Sequence, residues 1–179
     1  RQGVGRSVCG IVLQIGDLGV VGTRHLVRLV VGPALTLLGQ QVDSRAWQDR
    51  SVPEIVEEVL KDGLSPYHRQ VRLELASQDY PKREYCTQFR ESDLGFVSRL
   101  LEEEGISYYF EHEAGAEVMV LVDHNARFPL LSSKVESDAV PILDIEVETA
   151  GLESVQSFVW TRRMQSTSVV QSDFDFVRP

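Results

Sequence analysis

Cysteine is scarce in this chain of 179 residues: Cys9 and Cys86 are the only two. They form no CxxC pair and fit no zinc spacing, so neither a disulfide framework nor a zinc module organises the fold. Two buried free thiols are the expectation, in keeping with folding in a reducing cytoplasm; a single Cys9–Cys86 bridge is the alternative. Long apolar runs are missing as well. Leu26 to Leu38 is the most apolar region, but Arg28 and Pro33 interrupt it, and it falls short of the roughly 20 residues a membrane helix needs. No tandem repeat or low-complexity stretch occurs. An initiator methionine and a signal-peptide pattern are both lacking, so the sequence reads as the visible part of something longer.

Positive charge is also in short supply. Lysine and arginine number 18 against 27 aspartates and glutamates, a net charge of −9. The deficit is concentrated: residues 1–50 carry +3, residues 51–100 carry −2, residues 101–150 carry −10, and the remainder is neutral. An acidic middle disfavours a nucleic-acid backbone or an anionic membrane as partner and permits a basic protein. Catalytic signatures are missing too. His112-Glu113-Ala114-Gly115-Ala116 lacks the second histidine of a zinc-protease helix. No Gly-x-Ser-x-Gly elbow exists. Gly3-Val4-Gly5-Arg6-Ser7 and Gly16-Asp17-Leu18-Gly19 lack the spacing and lysine of a phosphate loop. With so many carboxylates, a glycosidase-like pair is available by chance and nothing selects one. No catalytic, cofactor-binding or metal-ligating residue is assigned. His112 sits between two glutamates, but on a strand it points away from both, so a structural or solvated role outweighs a metal one.

What the chain does contain is a core of ordinary composition, 42% hydrophobic and 25% charged. At this length folding buries roughly 70% of the extended-chain surface. The densest patterning runs from Tyr80 to Asp123 and reads as strand, helix and hairpin. Ser92 is a good N-cap, and Asp93 stands where the helix dipole favours an anion. Leu94, Phe96, Val97, Leu100 and Leu101 give one apolar face. Gly105 lies where a left-handed residue ends a helix. Gly95 costs that helix roughly 1 kcal/mol relative to alanine. Glu102, Glu103 and Glu104 crowd the end where the dipole disfavours anions. They read as a solvated helix end or, more sharply, as an acidic surface for a basic partner. Arg99 reaches Glu103 across one turn. Ile106, Tyr108 and Phe110 then alternate with Ser107, Tyr109 and Glu111, and Ala114-Gly115 supplies the turn. The return strand, Val118 to Val122, is apolar on both faces, which predicts cover on both sides or cover by another subunit.

Elsewhere the reading is sparser. Val8 to Ile15 and His25 to Val31 are strand-like, with Gly16, Gly19 and Gly22 as turns. Leu35, Leu37 and Leu38 continue an apolar stretch past Pro33. Trp47 reads as an anchor pinning a loop to the core. Ser51 and Glu54 form a capping box, Ile55, Val56, Val59 and Leu60 the buried stripe, and Gly63 the stop. Glu54, Glu57 and Glu58 face solvent. Val71 to Leu75 alternates as a strand with one wet face. Phe128 to Leu131 is an apolar loop. Strands are expected over Pro141–Val147, over Ser157–Arg162 with Phe158 and Trp160 on one side, and over Asp173–Phe176.

The string Gln88-Phe89-Arg90-Glu91-Ser92-Asp93, followed by Phe96 to His112, resembles the signature of VgrG proteins, the spike proteins of bacterial type VI secretion, related to the baseplate hub of contractile phage tails. Leu94 and Gly95 depart from the bulkier residues of that pattern. Gly10-Ile11-Val12, Val31 to Leu38, Ser44 to Gln48 and the closing Asp173-Phe174-Asp175-Phe176-Val177-Arg178-Pro179 resemble further segments of the same family.

The resemblance implies an α+β, mainly antiparallel β fold, in which barrel-like hub parts flank two short helices. Residues 1–45 are then the remainder of a first barrel-like part, 46–123 a helix–strand–helix–hairpin part, and 124–179 strands of a second barrel-like part. It implies a structural role in a homotrimeric spike that adapts a hexameric Hcp tube to a threefold needle. A PAAR-type tip protein and effectors would engage regions outside this sequence. Assembly in the bacterial cytoplasm, then secretion into the medium or a target cell, follows from the same likeness. Tyr108, Phe110, Glu102, Glu103 and Glu104 are the candidate interface residues. A hub of a phage tail or phage-derived injection particle is the alternative, and a cell-wall-hydrolase domain a more distant one.

Overall fold

The computed structural model describes residues 7–77, 79–113, 115–129, 142, 154–155, 157–164, 168 and 170. Two units are distinguished, residues 1–130 and 131–179. In the first, strands β1 (Ile11–Val21) and β2 (Arg24–Gly32) precede a 3-10 helix, Ala34–Gln40. Strands β3 (Val42–Trp47) and β4 (Arg50–Ser51) lead into helix α1 (Val52–Leu64). Then come β5 (Gln70–Glu74), β6 (Lys82–Arg83), β7 (Cys86–Ser92), helix α2 (Asp93–Glu104), β8 (Ser107–Glu113) and β9 (Ala116–Val122). The class is α+β, and among the described strands every pairing but that of β5 with β9 is antiparallel.

The two α-helices form where capping and periodicity agree. At α1 the Glu54 carboxylate accepts from the Ser51 N–H at 2.8 Å and from the Ser51 hydroxyl at 2.9 Å. Its stripe of Ile55, Val56, Val59 and Leu60 is fully buried. At α2 the Ser92 hydroxyl accepts from the Gly95 N–H at 3.1 Å. The other end closes as a Schellman motif. Gly105 adopts φ 68°, its N–H donates to the Glu102 carbonyl, and Ile106 N–H donates to the Leu101 carbonyl at 2.8 Å. Ile106 and Leu101 share the same core cluster, the apolar contact that accompanies this motif.

The core lies where α1, α2 and the 3-10 helix meet, backed by the sheet β5-β9-β8. Strand β9 is central, antiparallel to β8 and parallel to β5, with Gln70 opposite Val118 and Glu74 opposite Val122. Met119 and Leu121 face the main core. Val118, Val120 and Val122 form a second cluster against Tyr109. Both faces of β9 are therefore covered within this chain, without recourse to another subunit. Trp47 is the expected anchor: its ring stacks on Phe96 at 5.2 Å, and its indole N–H donates to Glu58 at 2.8 Å.

Among the described residues three sheets are two-stranded and one has three strands, none of them a closed barrel. Several local expectations are corrected. β1 runs through Gly16 and Gly19, and the hairpin turns at Gly22-Thr23. Irregular register between Asp17 and Val20 accommodates Gly19 at φ 82°, so that glycine serves a bulge. Gly63 does not stop α1. A Cβ there would approach Leu38 to 3.0 Å, so the glycine admits a close neighbour, and the chain reverses at His68 with φ 54°. Leu35 and Leu38 belong to the 3-10 helix and are buried from it. Val71–Leu75 lacks one freely wet face: β5 ends at Glu74 and all its residues past Gln70 are half-buried.

In the second unit, Ile142 and Val155 form an isolated parallel bridge. Residues 157–164 make no strand. Phe158 and Trp160 are 78% and 70% exposed, so no buried face fixes a register there. Apart from Ile142, the strand expected over Pro141–Val147 lies outside the described residues, as do Leu130, Leu131 and Asp173–Phe176.

Candidate interface

The acidic end of α2 is less bare than its sequence. Arg83 on β6 donates to Glu103 at 2.8 Å and to Glu104 at 2.9 Å. Burial works against the Arg83 charge, but the bonds to Glu103 and Glu104 outweigh it and raise its pKa above the ordinary value. Glu102 remains exposed. Arg99 lies 3.8 Å from Glu103, but its main partner is Glu91, met by Nε at 3.1 and 3.2 Å and by Nη2 at 3.1 Å. The pairing anticipated across one helical turn is thus secondary to a bond back to β7.

β8 places Tyr108 and Phe110 on one face, their rings edge-to-face at 5.9 Å. Tyr108 is 40% exposed, whereas Phe110 packs against the main core. The other face carries Tyr109 and Glu111. Tyr109 hydroxyl donates to Glu111 at 3.3 Å, and Arg72 bridges Glu111 and Glu74. Burial, followed by the Glu111 and Glu74 charges, raises the Tyr109 pKa. Phe128 covers this ring at 5.5 Å. Of the five candidate residues, Glu102, Glu103 and Tyr108 are exposed, Glu103 while paired with Arg83 and Tyr108 while packed on Phe110, and Glu104 and Phe110 are half-buried against partners inside the chain.

His112 has a structural task. Its Nδ1 accepts from the Cys9 N–H at 3.1 Å, which ties the segment before β1 to β8. Together with Glu117 and Phe110 these residues line a cavity of about 220 Å³. Glu117 is buried, accepts from the Ala34 N–H at 2.5 Å and lies 3.5 Å from Arg69 Nε. Among the described residues no group of three or more His, Cys, Asp or Glu side chains could hold a metal ion. Cys9 and Cys86 are both free thiols; Cys86 is buried, while Cys9 is only half-buried.

Two polar centres escaped the sequence reading. Asp93, 5% exposed, is bonded by Arg45 and by Gln88 Nε2 at 2.7 Å, and Arg45 Nε donates to Gln88 Oε1 at 3.0 Å. This buried network joins β3, β7 and α2. Its only sequence signal is an arginine and a glutamine on segments that could pair, which many unrelated segments share. Asp123 accepts from the backbone N–H groups of Ala76 (2.6 Å) and Ser77 (2.8 Å) and from the Tyr80 hydroxyl at 2.9 Å. Desolvation opposes its charge, but the two backbone donors and Tyr80 prevail and lower its pKa to about 2. Burial and the same bond push Tyr80 up to about 12.

The geometry offers backbone-organising charge pairs and a partly exposed aromatic strand. Comparison with known proteins agrees with a structural part. The profile described as phage tail baseplate hub (GPD) matches residues 1–179. The type VI secretion system spike protein VgrG5 of Pseudomonas aeruginosa is 37% identical over 98% of this chain and 21% of its own length. VgrG1b of the same organism is 33% identical over 100% of this chain and 23% of its own. VgrG3 of Vibrio cholerae is 32% identical over 97% of this chain and 16% of its own. The chain thus spans about a fifth of the length of the curated relatives it matches. A solved E. coli protein, a component of the type VI secretion system with structural similarity to T4 bacteriophage tail proteins gp27 and gp5, superimposes with a TM-score of 0.63. It is 26% identical, with 79% of this chain and 37% of that one covered. With residues 1–179 matched throughout, this chain belongs to the phage tail baseplate hub (GPD) family.

Proposed function

We propose that this chain is a hub segment of the trimeric puncturing spike of a bacterial type VI secretion system, with a structural and not an enzymatic role. One observation carries the reading: spike proteins of that system align with it over 98% or more of its length. On this reading three copies present six similar surfaces to a hexameric Hcp tube, two barrel-like parts per copy. Residues 1–45 are the remainder of a first such part, residues 124–179 supply strands of a second, and residues 46–123 form the helix–strand–helix–hairpin part. A PAAR-type tip and effectors engage portions of the whole protein beyond this segment. Assembly is cytoplasmic and is followed by secretion.

Within the trimer, Tyr108, Phe110, Glu102, Glu103 and Glu104 form a contact surface. Tyr108 and Glu102 supply direct contact, because Phe110 braces Tyr108 from the core and Arg83 engages Glu103 and Glu104. Native mass spectrometry of the natural gene product tests the assembly. The expected result is a threefold complex of chains far heavier than 20.1 kDa; a stable 20 kDa monomer overturns it. In the same protein Tyr108→Ser should weaken the complex by more than the loss of its packing on Phe110, about 0.5–1.5 kcal/mol, lowers the stability of each chain. Full retention of the complex removes Tyr108 from the contact. A phage tail hub is the second reading, favoured by the family's description; the tube protein that co-purifies separates the two.

A further inference from the structure

No further inference is drawn: the strongest candidate, the two-stranded ribbon β1–β2 with Ile15, Val20, Val27 and Leu29 exposed along it, carries nothing because nothing in the structure shows what covers it.

Discussion

Replacing Asp93 by alanine separates two accounts of the same residue. If Asp93 served only the α2 dipole, its loss would cost about 0.3–1 kcal/mol. Its carboxylate is instead 8% exposed and holds both Arg45 and Gln88. Removing one partner of a buried ion pair costs about 3–5 kcal/mol, because the other charge is left uncompensated. Two features reduce that figure here. Arg45 is 25% exposed, and it keeps Asp43 at 3.5 Å and Gln88 at 3.0 Å. Gln88, by contrast, is fully buried and retains only the Glu91 carbonyl for its amide N–H groups. The expected loss is therefore about 3 kcal/mol, near the lower end of that range. A urea titration at neutral pH measures it, with the slope of the transition checked for constancy. Asp93→Asn, which keeps the shape but not the charge, should fall between wild type and alanine. A double-mutant cycle with Arg45→Ala should return a coupling of at least about 0.5 kcal/mol, as groups in one network do. A loss below about 1 kcal/mol for Asp93→Ala, within the dipole range, would refute the network account.

Leu101→Ala should cost about 2–5 kcal/mol, since the side chain is 2% exposed and also seals the Schellman closure; a denaturant midpoint almost unmoved would mean that this face is not buried. Gly105→Ala should cost about 1–2 kcal/mol through the backbone alone, because φ is 68° and nothing lies within 4 Å of the added methyl. Equal stability in thermal melts would refute the left-handed cap. The depressed pKa of Asp123 ties stability to acid. Its contribution is fully present above the unfolded carboxylate value of 3.8 and is lost as pH falls toward about 2. Asp123→Asn should flatten the stability profile between those two pH values; a profile as steep as wild type would assign the acid sensitivity to other carboxylates.

Local chemistry was legible in the sequence, and distant pairing was not. The caps at Ser51, Ser92 and Gly105 and the hairpin β8–β9 depend on residues a few positions apart, so spacing alone located them. The parallel neighbour of β9 could not be read this way, because the alternation in β5 fits any partner. The glycines show the same limit. Gly105 ends a helix, but Gly63 makes room for Leu38 and Gly19 serves a bulge, and sequence does not distinguish a special φ from a close contact. Among the candidate interface residues, the sequence showed charge and aromaticity correctly. It could not show that Arg83 had already engaged two of the glutamates, since that pairing arises only when β6 is laid beside the end of α2.

The parallel pairing of β5 with β9 sets an order of assembly. A β-hairpin closes in about 1–10 μs from local sequence, and β8–β9 is such a hairpin, joined to α2 by a two-residue link. β5 leaves the chain long before β9 is made, and it can find its register only on an edge that β9 has already presented. The long connection between them must be closed before any of its contacts is gained, which slows the step. Synthesis from the N-terminus therefore exposes β5 and α1 as an unfinished layer until Val122 has emerged. Because that docking is the slow step, substitutions on β5 as well as in the β8–β9 turn should slow folding.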